Sequence, residues 1–194
     1  MVKFTGLNHL ALATNDMDAT IHFWRDLLGL RLVAGLGRPG FRQYFFELSA
    51  TDLIAFFEWP DVEKIPEKDH GAPVAGPFAF DHLSLGLAEE DDLWRIKDRL
   101  EAAGFWVSEV IDHGFIHSLY AFDPNNIPIE FSTDQPGCDP RDHPKMADRR
   151  PTPGGLEGSA PIPGRWPEPE RSTPQEDKLV YPGEGADFDW TGKA

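Results

Sequence analysis

The phrases LNHLAL at residues 7–12 and FDHLSLGL at 80–87 each set one histidine into a run of apolar residues. An imidazole inside a strand is ordinarily a core or rim residue held by a single hydrogen bond. Two in matching contexts, His9 and His82, invite a different reading. Side chains alternate between the faces of a strand, so parity assigns each histidine a side. In the first phrase Leu10 and Leu12 share one face, opposite Leu7, His9 and Ala11. In the second, Leu83 and Leu85 lie opposite Phe80, His82 and Ser84. The leucine faces suit burial under a helix, so both histidines project to the other side, beside small neighbours. IPIEF at 127–131 repeats the pattern, with Ile127, Ile129 and Phe131 on the apolar face and Glu130 pointing away. Alone, Glu130 reads as a solvated edge residue; beside two such histidines it becomes a candidate third ligand. Two neutral imidazoles and one carboxylate hold a divalent first-row metal and leave positions open for substrate.

The elements that must position these residues form an internal repeat. A strand at about 6–13 leads into an amphipathic helix, DMDATIHFWRDLLG, with Met17, Ile21, Trp24 and Leu28 on one stripe. Asn15 or Asp16 is suited to cap its start, and Gly29 to end it in the left-handed region. Strands are predicted near 30–35, 42–48 and 53–58, divided by glycines and by SATD. The second copy opens at FDHLSLGL and continues into AEEDDLWRIKDRLEAAG, with Leu93, Ile96, Leu100 and Ala103 on one face and Gly104 at its end. Strands near 105–112, 116–122 and 127–132 complete it. The expected organisation is a first module over 1–58, a connector over 59–77, a second module over 78–133 and a tail over 134–194. The tail is rich in proline and glycine, which excludes long helices and central strands.

The totals narrow the function classes. The 194 residues suffice for one well-buried domain with an appendage, and a hydrophobic content of 40% argues for a globular core. A net charge of −15 argues against nucleic acid and anionic membrane surfaces as partners. The single cysteine, Cys138, excludes an internal disulfide and fits a reducing compartment. The start, MVKFTGLNHL, enters a strand pattern at once, and no apolar run approaches the roughly 20 residues a bilayer span needs. A cytoplasmic location is expected.

LNHLAL followed by IHFWRDLLGLRLV, then FDHLSLGL, then YAFDPNNIPIEF, resembles the vicinal oxygen chelate superfamily over about residues 5–133. That group includes glyoxalases, bleomycin-resistance proteins and extradiol dioxygenases. The resemblance implies an α+β fold in which paired βαβββ modules form a curved mixed sheet, a cup with the metal in its concave face. It implies His9, His82 and Glu130 as ligands. A fourth ligand position on the last strand of the first module, within DLIAFFEWP, falls on Glu58 by spacing or on Ala55 by apolar pattern. The two have opposite parity, so both cannot face one metal without a bulge. Three ligands are favoured, because Glu58 directly precedes Trp59 and Pro60. IDHGFIHSLYAFDPNNIPIE is similar to the ring-cleavage signature of extradiol dioxygenases, with His113, Leu119, Tyr120, Asp123, Pro124 and Glu130 in step. It departs at Asn126, where glycine or proline is usual, and asparagine tolerates the left-handed turn. The chain also has one paired unit where many such enzymes have two.

The leading expectation is an Fe(II) dioxygenase that cleaves a catechol-like diol, with dioxygen as co-substrate. His113 is its proton-transfer residue, His117 the second choice, and Tyr120 a hydrogen-bond donor to substrate. Manganese, nickel and zinc also suit the ligand set. The alternatives are a glyoxalase-like isomerase or lyase using nickel or zinc in the same cup, and a non-catalytic small-molecule binder like the bleomycin-resistance proteins. In the tail, Trp166, Tyr181, Phe188 and Trp190 are expected to anchor an extended strap on the domain or across a homodimer. His70 and His143 are expected on polar loops.

Overall fold

The computed structural model describes residues 7–68, 71–73, 80–139, 142, 153, 155–183, 186–187 and 189–190. His70, His143 and Phe188 lie outside these residues. The repeat predicted from sequence is present. Strand β1 (His9–Thr14) runs into helix α1 (Met17–Ile21), which continues as a wider π-helical stretch over His22–Leu27, and then β2 (Arg31–Arg38), β3 (Phe41–Glu47) and β4 (Leu53–Glu58) follow. The second module has β5 (Leu83–Gly86), α2 (Glu90–Ala102), β6 (Ile111–Asp112), β7 (Ile116–Phe122) and β8 (Pro128–Asp134). Each module is a four-stranded mixed sheet, in the orders β1-β4-β3-β2 and β5-β8-β7-β6. The histidine-bearing segment thus lies at one edge of each sheet, paired in parallel with the last strand of its own module.

Local chemistry sets the element ends. The Asp16 carboxylate accepts from the Ala19 N–H and caps α1. Gly29 and Gly104, at φ 84° and 83°, turn the chain out of the two helices in the left-handed region. Asn126, at φ 61°, adopts the conformation that its departure from the signature requires. The predicted strand over 105–112 is cut short. Only Ile111 and Asp112 join the sheet, with a lone bridge from Val107 to Ala121. The Ser108 hydroxyl instead takes the Tyr120 N–H at 2.8 Å, substituting a side chain for ladder pairing.

One apolar core serves both modules. Trp24, Phe46, Ile54 and Phe56 from the first and Leu93, Leu100, Leu119 and Ile129 from the second are fully buried in a single cluster. Phe23 meets Phe105 edge to face at 4.9 Å, and the Trp24 indole donates to Asp123 at 3.3 Å. Ala103, expected on the buried stripe of α2, is exposed at the helix end. The chain divides into two compact units, Met1–Asp139 and Pro140–Ala194. In the second, the described residues form two short 3-10 turns, Gly155–Glu157 and Gln175–Asp177, with Trp166, Tyr181 and Trp190 exposed. No helix among the described residues is long and apolar enough to cross a membrane.

Candidate metal centre

Strand register decides which side chains meet. In the second module Ser84 lies beside Glu130 and Tyr120 lies across from it, so all three share one face. His82, two residues before Ser84, falls on the same side. The contacts agree. His82 Nε2 is 3.1 Å from Glu130 Oε2, and the Tyr120 hydroxyl donates to Glu130 Oε1 at 3.0 Å. His113 Nε2 lies 3.1 Å from the same hydroxyl. His82 and Tyr120 stand edge to face, with ring centroids 5.9 Å apart.

Electrostatics favour an anionic carboxylate at the centre. Burial pushes the Glu130 carboxyl up, but the hydrogen bond from Tyr120 and the neighbouring Ser118, Ser84 and His82 outweigh it and hold the group below its ordinary range. Burial and the neighbouring Glu130 push the Tyr120 phenol well above its ordinary range, so it stays a donor. At the outer side of His82, Asp81 Oδ1 lies 2.7 Å from Nδ1, and Asp81 Oδ2 meets the Lys68 ammonium at 2.8 Å. Lys68, His82 and the Gly71 N–H together hold the Asp81 carboxyl far below the usual range. An imidazole whose Nδ1 donates to Asp81 keeps its Nε2 lone pair for a metal on the Glu130 side.

The other expected residues are placed elsewhere. His9 stands on the first sheet, exposed, with Nδ1 2.8 Å from Asn8 Oδ1 and its ring 5.8 Å from that of Phe45. Among the described residues no three His, Cys, Asp or Glu side chains gather closely enough to hold an ion. The convergence of His9 with His82 and Glu130 is therefore not formed within one chain. The two modules are hydrogen-bonded as two four-stranded mixed sheets, the paired arrangement expected of the fold. His117 pairs with Thr133, on the opposite face from Tyr120, where Nδ1 contacts Glu90 at 3.0 Å. Strand parity excludes it from the cluster.

Register also resolves the fourth position. Ala11 pairs with Ala55 as Ser84 pairs with Glu130, so Ala55 is the counterpart of Glu130 in the first module. Glu58 pairs with Thr14 on the core-facing side, where it accepts from the Met17 N–H at 3.0 Å and ion-pairs with Arg42. It anchors the start of α1. Asp123 of the signature is structural as well. It is buried and accepts from the N–H groups of Asn125 and Ile127 and from the Trp24 indole, building the turn before β8. Burial outweighs these donors and raises its carboxyl above the ordinary range.

A groove of about 690 Å³ is lined in part by Lys64, Lys68, Trp106 and Phe122. Phe122 follows Tyr120 by two residues on the same strand face.

Comparison with known proteins places these features in context. The model of the Glyoxalase/Bleomycin resistance protein/Dioxygenase superfamily matches residues 6–131. A glutathione transferase FosA of Serratia marcescens is 28% identical over 127 residues, covering 64% of this chain and 77% of that protein. A lactoylglutathione lyase of Haemophilus influenzae is 24% identical, covering 63% of this chain and 88% of the lyase. An iron-dependent extradiol dioxygenase of Rhodococcus jostii is also 24% identical, covering 70% of this chain but only 44% of the dioxygenase. A glyoxylase/bleomycin resistance protein/dioxygenase domain from Frankia sp. EAN1pec superposes with a TM-score of 0.58 at 20% identity, covering 69% of this chain and all of that domain.

Proposed function

Since this chain belongs to the Glyoxalase/Bleomycin resistance protein/Dioxygenase superfamily, we propose that it is a metal-dependent enzyme of that group, specifically an Fe(II) extradiol-type dioxygenase acting on a catechol-like diol. The observation that carries the specific reading is Ala55 at the position equivalent to Glu130. With no fourth carboxylate, two histidines and one glutamate leave positions for both oxygens of a diol and for dioxygen. A bound divalent ion would lower the pKa of a coordinated diol, as it does that of water.

The chain's own residues have separate tasks in this reading. His82 and Glu130 are the ligands that one chain brings together. Tyr120, kept protonated by burial and by Glu130, donates its one proton to orient the carboxylate, or turns it to substrate when a metal holds Glu130. His113, exposed and in contact with the Tyr120 hydroxyl, exchanges protons between the site and solvent. Phe122, on the strand face of Tyr120, and Trp106, whose ring lies 5.7 Å from it, offer aromatic surface to the ring of the diol. His9 is supplied by a second copy of the chain. The free sides of β1 and β5 are sheet edges whose backbone groups are available for pairing, and each lies next to one of the two histidines. A two-fold homodimer joining β1 of one copy to β5 of the other would make two such sites.

Anaerobic loading with Fe(II), followed by a panel of catechols and air, tests the assignment. Dioxygen uptake with a coloured ring-opened product is expected. A glyoxalase-like isomerase using nickel or zinc is the second reading, favoured by a match that covers 88% of the lyase relative. Isomerisation of a hemithioacetal by the nickel or zinc form, without dioxygen uptake over the catechol panel, would replace the first reading by the second.

A further inference from the structure

We propose that Asp81 and Lys68 are positioning residues that lock His82 for metal binding, so that the connector between the modules is a working part of the site. The inference rests on the metal-dependent reading above. The residue before each strand histidine does the same thing in both modules: its side-chain oxygen engages Nδ1, at 2.8 Å from Asn8 to His9 and at 2.7 Å from Asp81 to His82. Both imidazoles are thereby directed to present Nε2.

The two differ in charge. Asn8 offers a neutral amide oxygen, whereas Asp81 offers a carboxylate, a stronger acceptor that makes Nε2 a better metal donor. The carboxylate is in turn fixed. Lys68 meets its second oxygen at 2.8 Å and the Gly71 N–H meets its first at 3.1 Å. The Lys68 side chain is only 14% exposed, unusual for a lysine outside any helix or strand. The connector segment that delivers it is stitched down, with Asn15 donating to the Val62 carbonyl and the Ile65 N–H donating to the Asn125 carbonyl. Lys68, Asp81, His82 and Glu130 thus form one continuous chain of contacts that ends where the ion would sit.

Competition titration with a chromogenic chelator, using Mn(II) and Co(II) separately on the metal-free full chain, measures the effect without any substrate. Asp81→Asn, which gives the second histidine the neutral support of the first, is expected to weaken binding about 10- to 100-fold and to shift the visible Co(II) spectrum. Lys68→Met is expected to weaken it about 3- to 10-fold, with thermal unfolding of the metal-free protein within a few degrees of wild type. Should Asp81→Asn fail to fold, Lys68→Met and Asp81→Glu decide the matter. Wild-type binding with either folded removal variant, Asp81→Asn or Lys68→Met, within twofold of it would overturn the positioning role alone. Absence of saturable binding by the wild type would overturn the metal reading and this inference together.

Discussion

The two modules share a topology and divide the chemistry unequally. Position by position, His9 answers to His82, Ala11 to Ser84, Ala55 to Glu130 and Phe45 to Tyr120. At these four positions the second module has polar side chains throughout, and the first has one histidine, two alanines and a phenylalanine. A repeated fold thus need not repeat its side chains: one half gathers a connected polar cluster, and the other carries a single exposed histidine beside a phenylalanine. Ala55 also leaves the first module without a carboxylate at the position that answers to Glu130.

The sharpest way to break this comparison is to separate its ligands onto different copies. His9→Ala and Glu130→Ala are each expected to abolish activity, by about 10³-fold or more, because each would remove a ligand of the proposed metal site. In the proposed homodimer, co-refolding the two in equal amounts should restore about a quarter of wild-type activity, since half of the dimers would be mixed and each of those would have one intact site. No recovery from folded variants would rule out a site shared between copies.

Next in size is the contrast between the two glutamates, 49 residues after His9 and 48 after His82. Glu130→Ala should lower metal affinity by 100-fold or more. Glu58→Ala should leave affinity within about twofold and reduce stability by about 1 kcal/mol, through the loss of its contact to the start of α1. Calorimetric titration and thermal unfolding read the two effects separately. The two histidines on β7's side of the molecule come third. His113→Ala is expected to lower kcat about 10- to 100-fold with metal binding intact, and His117→Ala to change it less than about twofold. Equal losses would contradict the assignment of faces.

The smallest effect concerns pH. The folded state raises the Asp123 pKa, so it holds this proton at pH values where the unfolded chain has released it. The resulting contribution favours folding below the ordinary carboxylate range and is lost as pH rises from there through the raised value. Urea unfolding of wild type and Asp123→Asn across pH 3–7 should show that fall as a difference between the two, on the order of 1 kcal/mol or less.

Much of this was legible before any coordinates. Parity alone put His82 and Glu130 on one face, and helix stripes and terminal glycines located both helices. The face of His117 was also legible, since it precedes Tyr120 by three residues and three is odd. Spacing misled at Glu58, because counting residues from a histidine ignores loop length, whereas strand register does not. His9 could not be placed, since identical parity describes a ligand delivered within a chain or between chains. Asp81 stood in plain view beside His82, but its value depends on Lys68, which only the folded connector brings there.

The indole of Trp24 reaching Asp123 has a consequence for how the molecule comes apart. This tryptophan has no exposed surface, and it belongs by sequence to one repeat while its acceptor belongs to the other. Severing the connector would leave each half with a large greasy face and, in one of them, a carboxylate stripped of its ring donor. Neither half is then a self-sufficient building block. Heating should melt residues 7–134 in one step, with no plateau at which one repeat survives the other.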